Sequence, residues 1–152
     1  FPTSSLTLYG HDMERTGICY RWAKENNLIK NVIFYGFLPG ENLMKILPKY
    51  DILLHTALEE TFGNIFIESM ISGVPIIAGK KSGAAPEIVK GNGLLVDVTD
   101  IRKIVNGLKK YSSDSRFWSK IRNKAYKNAK KKYHYKIIVK KYLALYKKIL
   151  KK

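Results

Sequence analysis

The sequence has a single cysteine, Cys19, and no Asp-x-Asp motif, and no apolar run approaches the ~20 residues of a membrane-spanning helix. One cysteine excludes an internal disulfide and suits a reducing compartment. No secretory signal pattern opens the chain, so we expect a cytoplasmic protein. The histidines do not stand at metal-ligand spacing with cysteine or acids. We therefore expect no metal and no other cofactor.

Acidic residues are scarce in the last third of the chain. Residues 102–152 hold 19 Lys and Arg but one acid, Asp114, whereas residues 1–101 hold 9 Lys and Arg and 11 acids. The slightly acidic first part disfavours a nucleic-acid groove, and we expect no nucleic-acid partner. The basic part by itself has three interpretations: a lysine-rich composition without function, helices that attach peripherally to the inner face of an anionic membrane, or, third in order, a contact with nucleic acid.

Apolar runs of strand length alternate with helical patterns along the first two thirds of the chain. Strands are predicted at 6–9, 32–35, 51–55, 74–78 and 94–96. This order predicts an α/β fold, a Rossmann-like parallel sheet covered by helices on both faces. After Asp97 only helical patterns follow, which predicts a helical C-terminal extension. We divide the chain into a core at 1–98 and a basic helical part of the same domain at 99–152.

Two patterns bear on the interior and on the ligand edge of this sheet. The first predicted helix would turn Ile18, Trp22 and Leu28 inward. Four glycines stand next to predicted strands. We expect each at the carboxyl end of its strand, the edge at which parallel sheets of this kind bind ligands. These are Gly10, Gly36, Gly79 and Gly93.

An acidic loop joins the third predicted strand to a helix. Seven residues separate Glu60 from Glu68, and Gly63 stands where the helix would begin. Free N–H groups at a helix N-terminus suit a phosphate, whereas carboxylates suit hydroxyl groups. A ligand with both parts, such as a nucleotide sugar, fits this combination. The alternative is that Glu68 is a surface acid favoured by the helix dipole.

Three neighbouring segments carry a family resemblance. Glu60 and Glu68 enclose Phe62-Gly63, and Gly73-Val74-Pro75 and Ser82-Gly83-Ala84-Ala85-Pro86-Glu87 follow. Together they resemble the C-terminal, nucleotide-sugar-binding domain of the retaining glycosyltransferases of group 1, enzymes with the two-domain GT-B fold. Ala84 stands where many relatives have a second glycine, which argues against a ligand role for its loop.

The resemblance implies a role for each site residue. Glu68 would hold the ribose hydroxyls, and Glu60, the proposed catalytic residue, would contact hydroxyls of the donor sugar. Sugar and diphosphate would lie on backbone amides of Phe62, Gly63, Asn64 and Ile65, and the nucleobase on Gly36, Phe37 and Leu38. Two alternatives stay open: Phe62 as a packing anchor, and Phe37 as a core residue.

The implied activity is hexose transfer from a nucleoside-diphosphate sugar to an acceptor hydroxyl, with retention, in polysaccharide, lipopolysaccharide or glycolipid synthesis. Relatives place a diphosphate-binding Arg and Lys upstream of the region matched here, and an acceptor-binding N-terminal domain before it. We therefore expect a fragment that is inactive without that N-terminal domain, its second partner beside the nucleotide sugar. A nucleotide-sugar epimerase of the same architecture and a non-catalytic nucleotide-binding module are the rival hypotheses.

Overall fold

A computed structural model describes residues 3–150. The elements in order are β1 (Leu6–Tyr9), α1 (Ile18–Glu25), β2 (Val32–Gly36), α2 (Gly40–Ile46), a 3-10 turn (Leu47–Lys49), β3 (Leu53–His55), α3 (Asn64–Ile71), β4 (Ile76–Gly79), α4 (Ala85–Val89), β5 (Leu94–Val96), α5 (Ile101–Ser113), α6 (Ser115–Tyr133) and α7 (Tyr135–Leu150). The strands stand where the apolar runs predict them. The chain divides into two compact units between Lys45 and Ile46, which we describe separately.

The first unit contains the parallel pair β1 and β2. Tyr20 of α1 meets Phe34 of β2 edge-on, with ring centroids 5.1 Å apart, and Ala23 is buried three residues later on the same helix face. The prediction that Ile18, Trp22 and Leu28 point inward is wrong. Ile18 and Trp22 lie on other parts of the helix, and Leu28 lies beyond its end. Their exposed fractions are 61% for Ile18, 58% for Trp22 and 53% for Leu28.

The second unit is built on a three-stranded parallel sheet in the order β3-β4-β5, and its central strand is fully buried. Ile76 and Ala78 join a core cluster with Phe66 of α3 and Ala125 of α6. Ile77 points to the opposite face, towards α5, where Gly107 allows close approach. Helices therefore cover both faces of this sheet, which confirms the predicted fold class.

Helices alone follow β5 within the described residues, as expected. Asp100 caps α5 by accepting a hydrogen bond from the amide of Arg102 at 2.9 Å. The Tyr111 hydroxyl donates to the carbonyl of Ile76 and ties α5 to β4. A domain boundary at residue 98 stays a prediction. Between residues 3 and 150, no helix combines the length and the apolar character needed to cross a membrane.

Three of the four glycines lie where the ligand edge was expected. Gly36 and Gly79 end β2 and β4, and Gly10 follows β1. The prediction for Gly93 is wrong, because this residue precedes β5 and so lies at the amino end of the strand. Close packing explains why glycine occurs at position 93, since a Cβ atom there would come within 2.7 Å of the Ile76 carbonyl oxygen.

Candidate functional site

Two nitrogen atoms contact the Glu60 carboxylate, one in the loop between β3 and α3 and one at the end of β3. Its Oε1 accepts a hydrogen bond from the Gly63 amide at 2.9 Å. Its Oε2 lies 3.3 Å from Nε2 of His55, the last residue of β3, and both side chains are mostly buried. A carboxylate fixed at both oxygens has a defined orientation, which is what a group that receives sugar hydroxyls requires.

Gly63 begins α3 in the left-handed conformation, with φ of 77°. A Cβ atom at this position would overlap the ring of Phe66, so only glycine fits without strain. Its amide donates to Glu60, so in this structure it orients the carboxylate. The amides of Asn64 and Ile65 come next, at helix positions that have no acceptor within the helix. They carry the positive end of the α3 dipole.

Glu68 lies in the second turn of α3 and is half-buried. Burial raises the pKa of its carboxyl above the ordinary value of 4.5. Among residues 3–150 its carboxylate has no hydrogen bond and no ion pair. Helical periodicity places it on the face of Asn64, opposite the buried Phe66 and Met70. A partly desolvated carboxylate without a protein partner is a candidate contact for a ligand with hydroxyl groups.

Replacement of Glu68 by glutamine is expected to raise stability near neutral pH. Because the pKa of Glu68 is raised in the folded chain, its ionised form is less favourable there than in the unfolded chain. This penalty is absent below the ordinary value of 4.5, where both states are protonated, and grows as the pH rises through the raised pKa. We expect the Tm of Glu68→Gln to exceed that of the wild type by about 1 °C at about pH 7.

Thermal unfolding of both chains at about pH 4 and about pH 7 checks this sign. The two Tm values should coincide at the lower pH and separate at the higher one. A variant that is less stable than the wild type at the higher pH would show that the protein stabilises the Glu68 carboxylate instead.

The loop after β4 supports the acidic loop from beneath. The Ser82 hydroxyl donates to the Ala57 carbonyl at 2.7 Å, and the Ala84 amide donates to the Glu60 carbonyl at 3.1 Å. Gly83 has φ of 44°, and a Cβ atom there would overlap the Glu60 carbonyl oxygen. Sequence reasoning found no ligand role for this segment and missed its structural one. The small side chains at 82–85 were a sequence signal for this structural role, since two backbone segments can pack closely only where side chains are small.

His55 is the second residue that sequence reasoning missed. Its surroundings in the sequence show no metal-ligand spacing, and its pairing with Glu60 depends on how β3 enters the loop. Among residues 3–150, no group of three or more His, Cys, Asp or Glu side chains is close enough to hold a metal ion. The available signal was the position of His55 at the carboxyl end of a short apolar strand, a few residues before the acids.

Phe62 and Phe37 are both largely exposed, at 53% and 61%. The interpretation of Phe62 as a packing anchor is therefore wrong, and the buried Phe66 is the anchor of α3. The core interpretation of Phe37 is wrong as well. In the first unit Phe37 stacks on His11, with centroids 5.0 Å apart, between the buried Gly36 and the half-buried Leu38.

A cleft of about 280 Å³ opens at the carboxyl ends of β4 and β5, between Leu58 and the residues that follow the two strands. Lys80 crosses it to Asp97 at 3.0 Å. A hydrogen bond from the Thr99 hydroxyl, assisted by Lys80, lowers the pKa of Asp97 to about 2. Neither Glu60 nor Glu68 lines this cleft. The cleft is thus separate from the two carboxylates that carry the candidate site.

Many solved structures resemble this fold. An Anabaena protein crystallised with UDP has a TM-score of 0.82 at 22% identity, over 97% of this chain and 42% of that one. The C-terminal domain of a group 1 family glycosyl transferase from Francisella tularensis has a TM-score of 0.64 at 32% identity, over 75% and 60%. The predicted fold, one Rossmann-like half of a GT-B enzyme, is confirmed.

Sequence comparison gives the family. An uncharacterized glycosyltransferase of Methanocaldococcus jannaschii is 30% identical over 132 residues, which is 86% of this chain and 33% of that protein. This chain thus spans about a third of the length of such curated relatives. The model of the family "Glycosyl transferases group 1" matches residues 4–132. Most of the described chain, including the acidic loop and its supporting loop, falls within that match, and the protein belongs to the group 1 glycosyl transferases.

Proposed function

We propose that this chain binds the donor substrate of a retaining hexosyltransferase. The donor would be a nucleoside-diphosphate sugar, whose hexose the intact enzyme transfers to an acceptor hydroxyl in polysaccharide, lipopolysaccharide or glycolipid synthesis. The observation that carries the proposal is Glu68, a half-buried carboxylate with a raised pKa and no protein partner in the described chain. It lies on the same helix whose N-terminus orients Glu60.

Each part of such a donor has a chemically suited group. Glu68 accepts hydrogen bonds from the ribose hydroxyls, and the amides of Asn64 and Ile65 face the diphosphate with the positive end of the α3 dipole. Glu60 accepts hydroxyls of the hexose. Glu60 precedes α3 and Glu68 lies in its second turn, so that the two carboxylates would contact different parts of one extended ligand. The assignment of the nucleobase to Gly36, Phe37 and Leu38 remains a prediction.

The contribution of this chain to catalysis would be positioning and electrostatic. Hydrogen bonds at both ends of the donor hold its anomeric carbon in a fixed place. Helix amides disperse the charge that develops on the leaving diphosphate, so that the proposal needs no metal and no other cofactor. We assign the acceptor site to a separate N-terminal domain, as the family resemblance implies.

A thermal-shift panel tests donor binding directly. The chain is heated with UDP, GDP and ADP and with their hexose conjugates, and a donor should raise Tm in a concentration-dependent way. UDP and UDP-glucose come first, since the Anabaena neighbour was crystallised with both. A chain whose Tm responds to none of these compounds, alone or within the intact protein, would contradict the proposal.

Product analysis on the intact protein separates transfer from its rivals. A transferase forms a glycosylated acceptor and releases the nucleoside diphosphate, whereas an epimerase inverts one stereocentre of the sugar without an acceptor and releases free sugar only when water cleaves the bond to the diphosphate. Binding of a nucleotide sugar without consumption, for any acceptor offered, would identify a non-catalytic module.

We also propose that α7 contacts an anionic membrane surface. A continuous apolar side of this helix includes Tyr142, Leu145, Tyr146 and Ile149, each more than half exposed. Lysines border it, and no acid occurs in the helix. An amphipathic helix of this charge lies in the headgroup region of anionic bilayers. The intact enzyme would then work peripherally at the cytoplasmic face of a membrane.

Vesicle flotation is expected to show binding of the chain to phosphatidylglycerol vesicles and not to neutral phosphatidylcholine vesicles at about 0.15 M salt. Each lysine near the surface contributes about 1 kcal/mol, so replacement of Lys141 and Lys148 by glutamine should weaken binding roughly 30-fold. Replacement of Lys109 and Lys110 of α5 is the matched control. Equal losses in both double variants would point to net charge rather than α7, and absence of binding would remove the membrane proposal.

A further inference from the structure

We infer that His55 is a positioning residue for Glu60: its Nε2–H holds the carboxylate in the orientation in which it receives hydroxyls of the donor sugar. The existence of the pair stands on the structure alone. What the carboxylate then binds rests on the proposed function.

A hydrogen bond and a close contact, from different elements, meet at the carboxylate of Glu60. The Gly63 amide at the start of α3 reaches Oε1 at 2.9 Å, and His55 Nε2 at the end of β3 reaches Oε2 at 3.3 Å. A carboxylate offers about four acceptor positions, so two contacts leave capacity for two sugar hydroxyls. Loss of the His55 contact would leave the side chain free to turn about the single remaining hydrogen bond.

The core holds the imidazole ring in place. His55 is paired with Ala78 in the parallel ladder of β3 and β4, so its backbone belongs to the sheet. Its ring meets the fully buried ring of Phe66 edge-on, with centroids 4.8 Å apart. Since Phe66 also packs beneath Gly63, the same core residue supports both donors of the Glu60 carboxylate.

The second ring nitrogen determines where the proton lies. Nδ1 of His55 is buried and has no hydrogen-bond partner in the described part of the chain. A proton on Nδ1 alone would bury an unsatisfied N–H and would turn a lone pair of Nε2 towards a carboxylate. A proton on Nε2 faces its acceptor and leaves only a lone pair without a partner. The geometry thus favours His55 as the donor and Glu60 as the acceptor.

Ring packing and hydrogen bonding can be separated by two substitutions. His55→Phe keeps an aromatic ring against Phe66 and removes the donor. His55→Gln removes the ring and keeps an N–H donor of similar reach. A residue that only fills space tolerates phenylalanine better, whereas a residue that positions Glu60 tolerates glutamine better.

The first measurement concerns the pair itself and needs no ligand. In nitrogen-15 NMR of the chain, the His55 proton should reside on Nε2, and Glu60→Ala should speed its exchange with water at least about tenfold. Glu59→Ala is the control variant and His134 the internal reference, and neither should show a change. A proton on Nδ1, or an exchange rate that Glu60→Ala does not alter, overturns the inference.

The second measurement concerns the donor sugar. In the intact protein, His55→Phe is expected to lower the affinity for UDP-glucose roughly tenfold while the affinity for UDP is retained, and His55→Gln should recover most of the loss. The difference in affinity between UDP-glucose and UDP isolates the contacts of the hexose, near Glu60, from those of the ribose, near Glu68. Equal losses in the two variants, or an equal loss for UDP, overturn the positioning role. If the wild type binds no nucleotide sugar, the proposed function fails and the exchange measurement alone decides the His55–Glu60 pair.

Discussion

Replacement of Glu68 by alanine is expected to weaken the binding of the nucleoside diphosphate and of its sugar conjugate equally, by at least about 100-fold. The variant loses two charge-assisted hydrogen bonds to ribose hydroxyls, each worth about 1.5–3 kcal/mol. Because burial has raised the pKa of the carboxylate and it has no partner among residues 3–150, its removal breaks no hydrogen bond or ion pair of the described chain. The effect should therefore fall on ligand affinity and spare the fold.

Isothermal titration calorimetry with the nucleotide selected by the thermal-shift panel measures this loss. Glu59→Ala is the matched control, because it removes an exposed acid next to Glu60 and should leave both affinities unchanged. Retained affinity in Glu68→Ala would contradict the ribose assignment. A loss in Glu59→Ala of the same size would show that the overall negative charge of the loop matters, and not one carboxylate.

Replacement of Gly83 by alanine is expected to lower Tm by about 10 °C and to impair donor binding. The added Cβ would overlap the carbonyl oxygen of Glu60, and φ of 44° disfavours any side chain. Relief requires the acidic loop or the loop after β4 to move, which breaks the hydrogen bond from the Ala84 amide to Glu60. Strain and the lost contact together cost about 3 kcal/mol, and about 2–4 °C of Tm corresponds to each kcal/mol for a chain of this size.

Gly40→Ala is the control for this prediction. Gly40 begins α2, and a Cβ atom there meets no other atom within 4 Å, so alanine should be neutral or slightly stabilising. Thermal unfolding of the two variants beside the wild type gives the comparison. A Gly83→Ala chain with unchanged Tm would show that the two loops are not packed as tightly as the structure has them.

The sequence predicted well what depends on neighbouring residues. The strands of the second unit stand within a few residues of their predicted places, because each is a short apolar run closed by a turn. Gly63 was placed correctly at the start of α3 from its position between a strand and a helical pattern. The inner face of α1 was predicted wrongly, because Ile18 and Trp22 suggest an apolar stripe whereas the small Ala23 makes the contact.

What the sequence did not predict depends on contacts between distant segments. The support of the acidic loop joins residues 25 positions apart, Ala57 and Ser82. His55 and Glu60 are close in the chain, but only the path of the loop brings the imidazole to the carboxylate. Phe62 and Phe66 lie in one short segment, and the register of α3 decides which of them is buried. Local patterns carry none of this information.

A crystal structure of the intact protein with an uncleaved nucleotide sugar tests the central claim most directly. The account predicts one ligand along the N-terminal half of α3, with ribose hydroxyls within about 3 Å of the Glu68 carboxylate and hexose hydroxyls equally close to Glu60. A ligand bound elsewhere, or one that leaves either carboxylate without a sugar hydroxyl, would contradict it.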